Sequence, residues 1–218
     1  METYTVYNAG FPGDTTLELL KRFDRDVAQR KPDLVTLLVG SNDMFYPGHI
    51  LDIEIYRKNL NTLLDRIGFI NAGCILFTAP RFYLPFLLEN FPGTVNHPLS
   101  TDERLTLLNN VIKEVAAERN IPLVDLYKLI DPVDDTPESM VLNESNSRYR
   151  DGMHLVPEGY RIMAEQVLAL HKKYFSSSRT IVCLGDSLTY GVYMPGKGTA
   201  GIEALTYPGQ LAKLLNKQ

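Results

Sequence analysis

The chain has 218 residues, of which 44% are hydrophobic and 22% charged, with a formal net charge of −4. That length suits one α/β domain over residues 1–218 with a core large enough to need no disulfide or metal staple. The acidic balance speaks against a nucleic-acid partner, which requires a basic face, and no stretch approaches the roughly 20 apolar residues that span a bilayer.

Residues 3–8 form a short β-rich run. Residues 14–30 carry Leu17, Leu20, Phe23 and Val27 at helical spacing, with one face turned inward. Residues 33–39 are almost continuously apolar, as in a strand covered on both faces. Residues 53–67 read as a helix and 73–79 as a strand. Residues 101–119 read as a helix whose start carries Ser100 and, three residues on, Glu103, a capping box. A strand over 122–126, a helix over 158–173 opened by Pro157, a strand over 180–184 and a last helix over 208–216 complete the pattern.

Strands alternating with helices predict a three-layer α/β/α, doubly wound parallel sheet of five strands, flavodoxin-like in type. Two long loops interrupt it. Residues 80–99 are rich in Phe, Tyr, Leu and Pro, and residues 127–150 are polar and acidic. Cys74 and Cys183 each lie in an apolar run and read as buried thiols rather than a disulfide framework.

Four short segments carry chemistry. Gly185-Asp186-Ser187-Leu188 directly follows the strand over 180–184, where a tight turn exposes a serine hydroxyl; the plain reading is a helix-capping serine. Asp151 and His154 are three residues apart at a helix entrance, so a carboxylate can orient an imidazole that takes a proton; alone, such a His is a surface or capping residue. Gly40-Ser41-Asn42-Asp43 ends the strand over 33–39, where the Asn42 amide can donate to an oxyanion or close an Asx turn. Gly13, after the first strand, offers a backbone N–H and close approach, while Asp14 caps the helix that follows.

Taken together, the serine block at Ser187, the glycine block at Gly13, the asparagine block at Asn42 and the aspartate–histidine block at Asp151 and His154 resemble the GDSL, or SGNH, hydrolase family. The resemblance implies a serine esterase or acylhydrolase working through an acyl-enzyme. Ser187 is then the nucleophile, His154 the general base and acid, and Asp151 its orienting partner. The backbone N–H groups of Ser187 and Gly13, with the Asn42 amide, form the oxyanion hole. No cofactor and no metal are implied, and the substrate is a small-molecule ester, short-chain or carbohydrate-linked. A lysophospholipase or thioesterase on the same site, and a non-catalytic binding module on the same fold, are the competing readings.

Chain order departs from the family. There the serine block comes first; here it comes last, as in a circular permutation whose old termini meet across residues 172–179, which include Ser176-Ser177-Ser178. Read through that permutation, the strand over 180–184 belongs between those over 3–8 and 33–39. The start Met1-Glu-Thr-Tyr-Thr is no signal peptide, so the expected compartment is cytoplasmic, or secreted if the rearrangement removed a leader.

Two rival motifs fail on their own terms. Gly191 to Gly198 nearly matches a phosphate-binding loop but ends in glycine where a hydroxyl is required. The four histidines, His49, His97, His154 and His171, show no zinc-ligand spacing. Finally, the apolar 80–99 loop starts on the same sheet edge as the four blocks: Phe82 and Phe86 are candidate walls of an acyl pocket, while the plainer readings are a loop folded onto the domain as local core, or an oligomer contact.

Overall fold

Apolar runs too short for helices become the five strands of one parallel sheet: β1 (Thr5–Gly10), β2 (Leu34–Leu38), β3 (Gly73–Phe77), β4 (Leu123–Val124) and β5 (Thr180–Gly185). Their order is β1-β5-β2-β3-β4. The last strand in the chain thus lies inside the sheet, with Val182 opposite both Tyr7 and Val35, as its apolar character requires. The structure is a computed structural model and describes residues 3–217.

Ten helices connect and cover the strands among the described residues. They are α1 (Thr16–Asp26), α2 (Ser41–Phe45), α3 (Ile53–Phe69), α4 (Leu84–Asn90), α5 (Thr101–Glu118), α6 (Leu126–Leu129), α7 (Glu144–Ser147), α8 (Pro157–Tyr174), α9 (Ser187–Tyr190) and α10 (Tyr207–Asn216). Side chains alternate across a strand, so each face builds its own core. Val182 and Leu184 of β5 join Val35 and Leu37 of β2 beneath Phe23 of α1, Leu63 of α3 and Leu108 of α5. On the other face, Ile181 and Cys183 join Leu34 and Leu38 beneath Tyr160 and Met163 of α8 and Leu211 of α10. The three layers predicted from the alternating pattern are therefore present, and both cysteines are buried free thiols.

Several boundaries differ from the sequence reading, each for a local reason. The cap of α1 is Thr15, which closes a capping box with Glu18; Asp14 instead pairs with Arg22 at 2.6 Å. The strand expected over 122–126 shrinks to two residues because Asp125 precedes α6. The 80–99 segment is not an open loop: it winds into α4 and a 3₁₀ turn at Pro92–Val95.

Two close approaches bear on chain order. Around 172–179 the chain turns tightly from α8 into β5, where Asp33 Oδ2 accepts the N–H groups of Arg179 and Thr180 at 2.8 Å each. Across the molecule, Tyr4 N–H donates to Asn216 Oδ1 at 3.0 Å, and Asn216 Nδ2 donates back to the Tyr4 carbonyl at 3.2 Å. No helix among the described residues is long and apolar enough to cross a membrane.

Candidate active site

All strands are parallel, so the segments leaving β1, β2 and β5 emerge on one edge, where open α/β sheets bind ligands. Gly13, Asn42 and Ser187 occupy those segments and line one cleft of about 570 Å³, together with Asp151 and His154. The structure brings these five sequence-predicted residues together.

Ser187 is the first residue of α9, straight after β5 and the cap Asp186, whose Oδ1 accepts the Leu188 N–H at 3.0 Å. Asp186 is fully buried, and that burial pushes its carboxyl up to about 7. Ser187 itself remains partly exposed in the cleft.

Asp151 and His154 sit on the turn before α8. Asp151 Oδ1 meets His154 Nδ1 at 2.8 Å, while its Oδ2 accepts the backbone N–H groups of Met153 at 2.9 Å and His154 at 2.5 Å. Burial acts to raise the Asp151 carboxyl, but the hydrogen bond and charge of His154 and the two backbone donors outweigh it and hold the group below its usual range. A His154 tautomer with its hydrogen on Nδ1 donates to this carboxylate and leaves Nε2 with a lone pair. His154 Nε2 is shielded from solvent and has no partner among the described residues.

Asn42 lies on α2, which starts where the chain leaves β2. Its cap Gly40 has φ 133, and a Cβ there would come within 2.7 Å of Leu108 Cδ1, so only glycine lets α2 pack this deeply. Asn42 Nδ2 donates one hydrogen to the Asp14 carbonyl at 2.8 Å, which orients the amide and leaves its second hydrogen for the cleft. Gly13 takes φ 84, a left-handed turn that presents its backbone to the cleft. The N–H groups of Gly13 and Ser187 have no acceptor among the described hydrogen bonds.

Beneath α2, Asp43 Oδ1 accepts from the Thr16 hydroxyl at 2.5 Å and from its N–H at 3.0 Å; burial pushes this carboxyl up to about 6. Arg104 of α5, 2% exposed, donates to the Met44 carbonyl of α2 and to the Thr94 carbonyl, at 2.6 Å each.

Phe82 and Phe86 do not line the cleft, a correction to the expectation that they wall it. Phe82 is buried edge-to-face against Phe45, at 5.2 Å between ring centroids. Phe86 is 2% exposed and lies beneath the Arg150 guanidinium. The same segment instead supplies Asn90 and Phe91 to the cleft. It also braces the Asp151–His154 turn: Tyr83 N–H donates to the Gly152 carbonyl and Asn90 Nδ2 to the Arg150 carbonyl, both at 2.8 Å. Sequence reasoning also missed Tyr149 and Tyr193, which line the cleft and stack on each other.

Residues 2–162 match the GDSL-like Lipase/Acylhydrolase family, and the chain belongs to that family. The matched stretch contains Gly13, Asn42, Asp151 and His154 and ends before Ser187. Over 127 residues the chain is 28% identical to an acetylxylan esterase of Geobacillus stearothermophilus, covering 55% of this chain and 53% of that protein. It is 22% identical over 150 residues to a GDSL esterase/lipase of Oryza sativa subsp. japonica, covering 66% and 55%. The chain thus spans about half the length of these relatives. Among solved structures, a lipase/acylhydrolase from Enterococcus faecalis superposes with a TM-score of 0.58 at 28% identity, over 74% of this chain and 72% of the other.

Proposed function

We propose that this protein is a serine esterase that removes short acyl groups from carbohydrate hydroxyls. The observation that carries the reading is the pairing of Asp151 with His154, whose unpartnered, dry Nε2 shares a cleft with Ser187, Gly13 and Asn42.

In this reading His154 Nε2 takes the Ser187 hydroxyl proton as Oγ attacks the acyl carbon. The charged imidazolium that results is stabilised by Asp151, already anionic and hydrogen-bonded to Nδ1. The oxyanion of the tetrahedral intermediate accepts from the N–H groups of Ser187 and Gly13 and from the free Asn42 amide hydrogen. His154 then returns its proton to the leaving alkoxide, giving the free alcohol and an acyl-Ser187. Water, deprotonated by the same Nε2, hydrolyses that ester and restores the serine.

The carbohydrate part rests on the acetylxylan esterase relative and on the aromatic-edged cleft, to which Asn90 and Arg150 add polar groups. An alkyl phosphonate is expected to label Ser187 at neutral pH, seen by mass spectrometry of its peptide, and Ser187→Ala is expected to lose both label and acetyl-ester hydrolysis. Ester hydrolysis that persists in Ser187→Ala would sink the assignment.

A further inference from the structure

Two half-exposed tyrosines stand at the edge of the cleft. Tyr149 and Tyr193 come from loops far apart in the chain and stack with centroids 4.2 Å apart and planes 26° from parallel. They are 45% and 44% exposed. Tyr193 holds a left-handed φ of 67, unfavourable for a residue with a side chain, a strain that persists where surrounding structure enforces it. Its ring also meets His154 edge-on at 5.7 Å.

The stack is a shared wall. On its far side lies a second cleft of about 610 Å³, which Tyr149 and Tyr193 line as they line the first. Met140, Pro157, Val156 and Met194 give it apolar surface, and the exposed Glu138 stands at its rim as an acceptor, while both carboxylate oxygens of the neighbouring Glu158 are engaged by Arg161. No lysine or arginine lines it among the described residues. Apolar faces with carboxylate acceptors suit a sugar ring, which offers C–H faces and outward hydroxyl donors. The Glu138 carboxylate repels a phosphate headgroup.

We infer that the second cleft binds the next ring of a neutral oligosaccharide whose acylated ring lies in the first, with Tyr149 and Tyr193 as the wall the chain crosses. The inference rests on the esterase reading above and makes the preferred substrate an acylated oligosaccharide rather than an acylated monosaccharide.

The test compares kcat/KM for 4-nitrophenyl acetate, an acetylated methyl xyloside and the matching acetylated methyl xylobioside. The disaccharide ester is expected to exceed the monosaccharide ester by about tenfold, one factor of 1.4 kcal/mol in binding. Met140→Trp, which fills only the second cleft, is expected to erase that gain while leaving nitrophenyl acetate hydrolysis unchanged. Glu138→Arg, on an exposed position that does not threaten the fold, is expected to reduce the gain. Equal rates on the two sugar esters, or a gain that survives Met140→Trp, would overturn the inference. So would a preference for a lysophospholipid. If none of the esters is cleaved, the esterase reading fails separately. Calorimetric titration with unmodified xylobiose and xylose then decides the cleft: tighter xylobiose binding that Met140→Trp abolishes supports it, and equal binding overturns it.

Discussion

Asn42 is held by Asp14: its side-chain Nδ2 donates to the Asp14 backbone carbonyl at 2.8 Å, bridging the segment after β1 to the helix after β2. The bond orients the amide before any substrate arrives, and preorganised donors of this kind act mainly on the transition state. Asn42→Ala is therefore expected to lower kcat by about 10²-fold with KM changed only a few-fold. Steady-state kinetics on an acetyl ester check this; an unchanged kcat in a folded variant would reduce Asn42 to a turn residue.

Arg104 ties α2 from below through the Met44 and Thr94 carbonyls, and no carboxylate is paired with it among the described ion pairs. Lysine cannot reach two carbonyls with a rigid fork. Arg104→Lys should leave one of them unsatisfied and cost about 1–3 kcal/mol of stability. Because α2 carries Asn42, kcat should fall more than KM rises. Chemical denaturation and kinetics together test the pair of effects; a loss of stability with kcat intact would confine Arg104 to the core.

Two buried carboxyls give the fold an unusual pH response. Burial raises Asp186 to about 7 and Asp43 to about 6. Between the unfolded value near 4 and these folded values, the native state binds more protons than the unfolded chain, so acid favours folding there. Asp151, held below its usual range, acts oppositely, but only at more acidic pH. Stability should therefore rise as pH falls from about 8 to about 5. Asp186→Asn keeps an acceptor for the Leu188 N–H and removes the titration, so its profile should be flatter over that window. Melting temperatures across pH read this directly; parallel profiles for the two proteins would contradict it.

The mutual hydrogen bonds of Tyr4 and Asn216 set the two ends of the described chain side by side. We propose that the chain order is a permutation of the usual family order. A chain reopened within Ser176-Ser177-Ser178, with its present ends joined by a short glycine–serine linker, should fold to the same sheet and keep acetyl-ester hydrolysis within about threefold, since adjacent surface termini tolerate such exchange. Loss of folding in the rejoined chain would count against the proposal.

The centre of the sheet was legible because β2 and β5 are buried on both faces: their apolar runs, broken in β2 only by Thr36, leave no polar face that could meet water. The candidate site was legible where its residues are neighbours in the chain, as at Asp151 and His154, which the structure pairs at 2.8 Å. What was hidden depends on distance in the chain. Tyr149 and Tyr193 meet only after both loops are in place. Phe82 and Phe86 looked like an exposed lip because the short α4, a turn too brief to announce itself by periodicity, turns Phe86 inward, and because Phe82, just before it, packs on the distant Phe45. Arg104 did carry a signal: it stands four residues before Leu108, on the inner face of α5, where a lone cation must find carbonyls.

The position of β5 has a consequence for how the protein comes into being. During synthesis from the amino end, β1 and β2 emerge well over a hundred residues before the strand that separates them. Until β5 arrives, both have an open flank of unpaired backbone groups, the condition that invites wrong partners. Ser187, the proposed nucleophile, travels on that same late segment. On the mechanism proposed above, a nascent chain whose β5 has not docked would hold Asp151, His154, Gly13 and Asn42 but lack Ser187, so that hydrolytic capacity and closure of the sheet would arrive in one step.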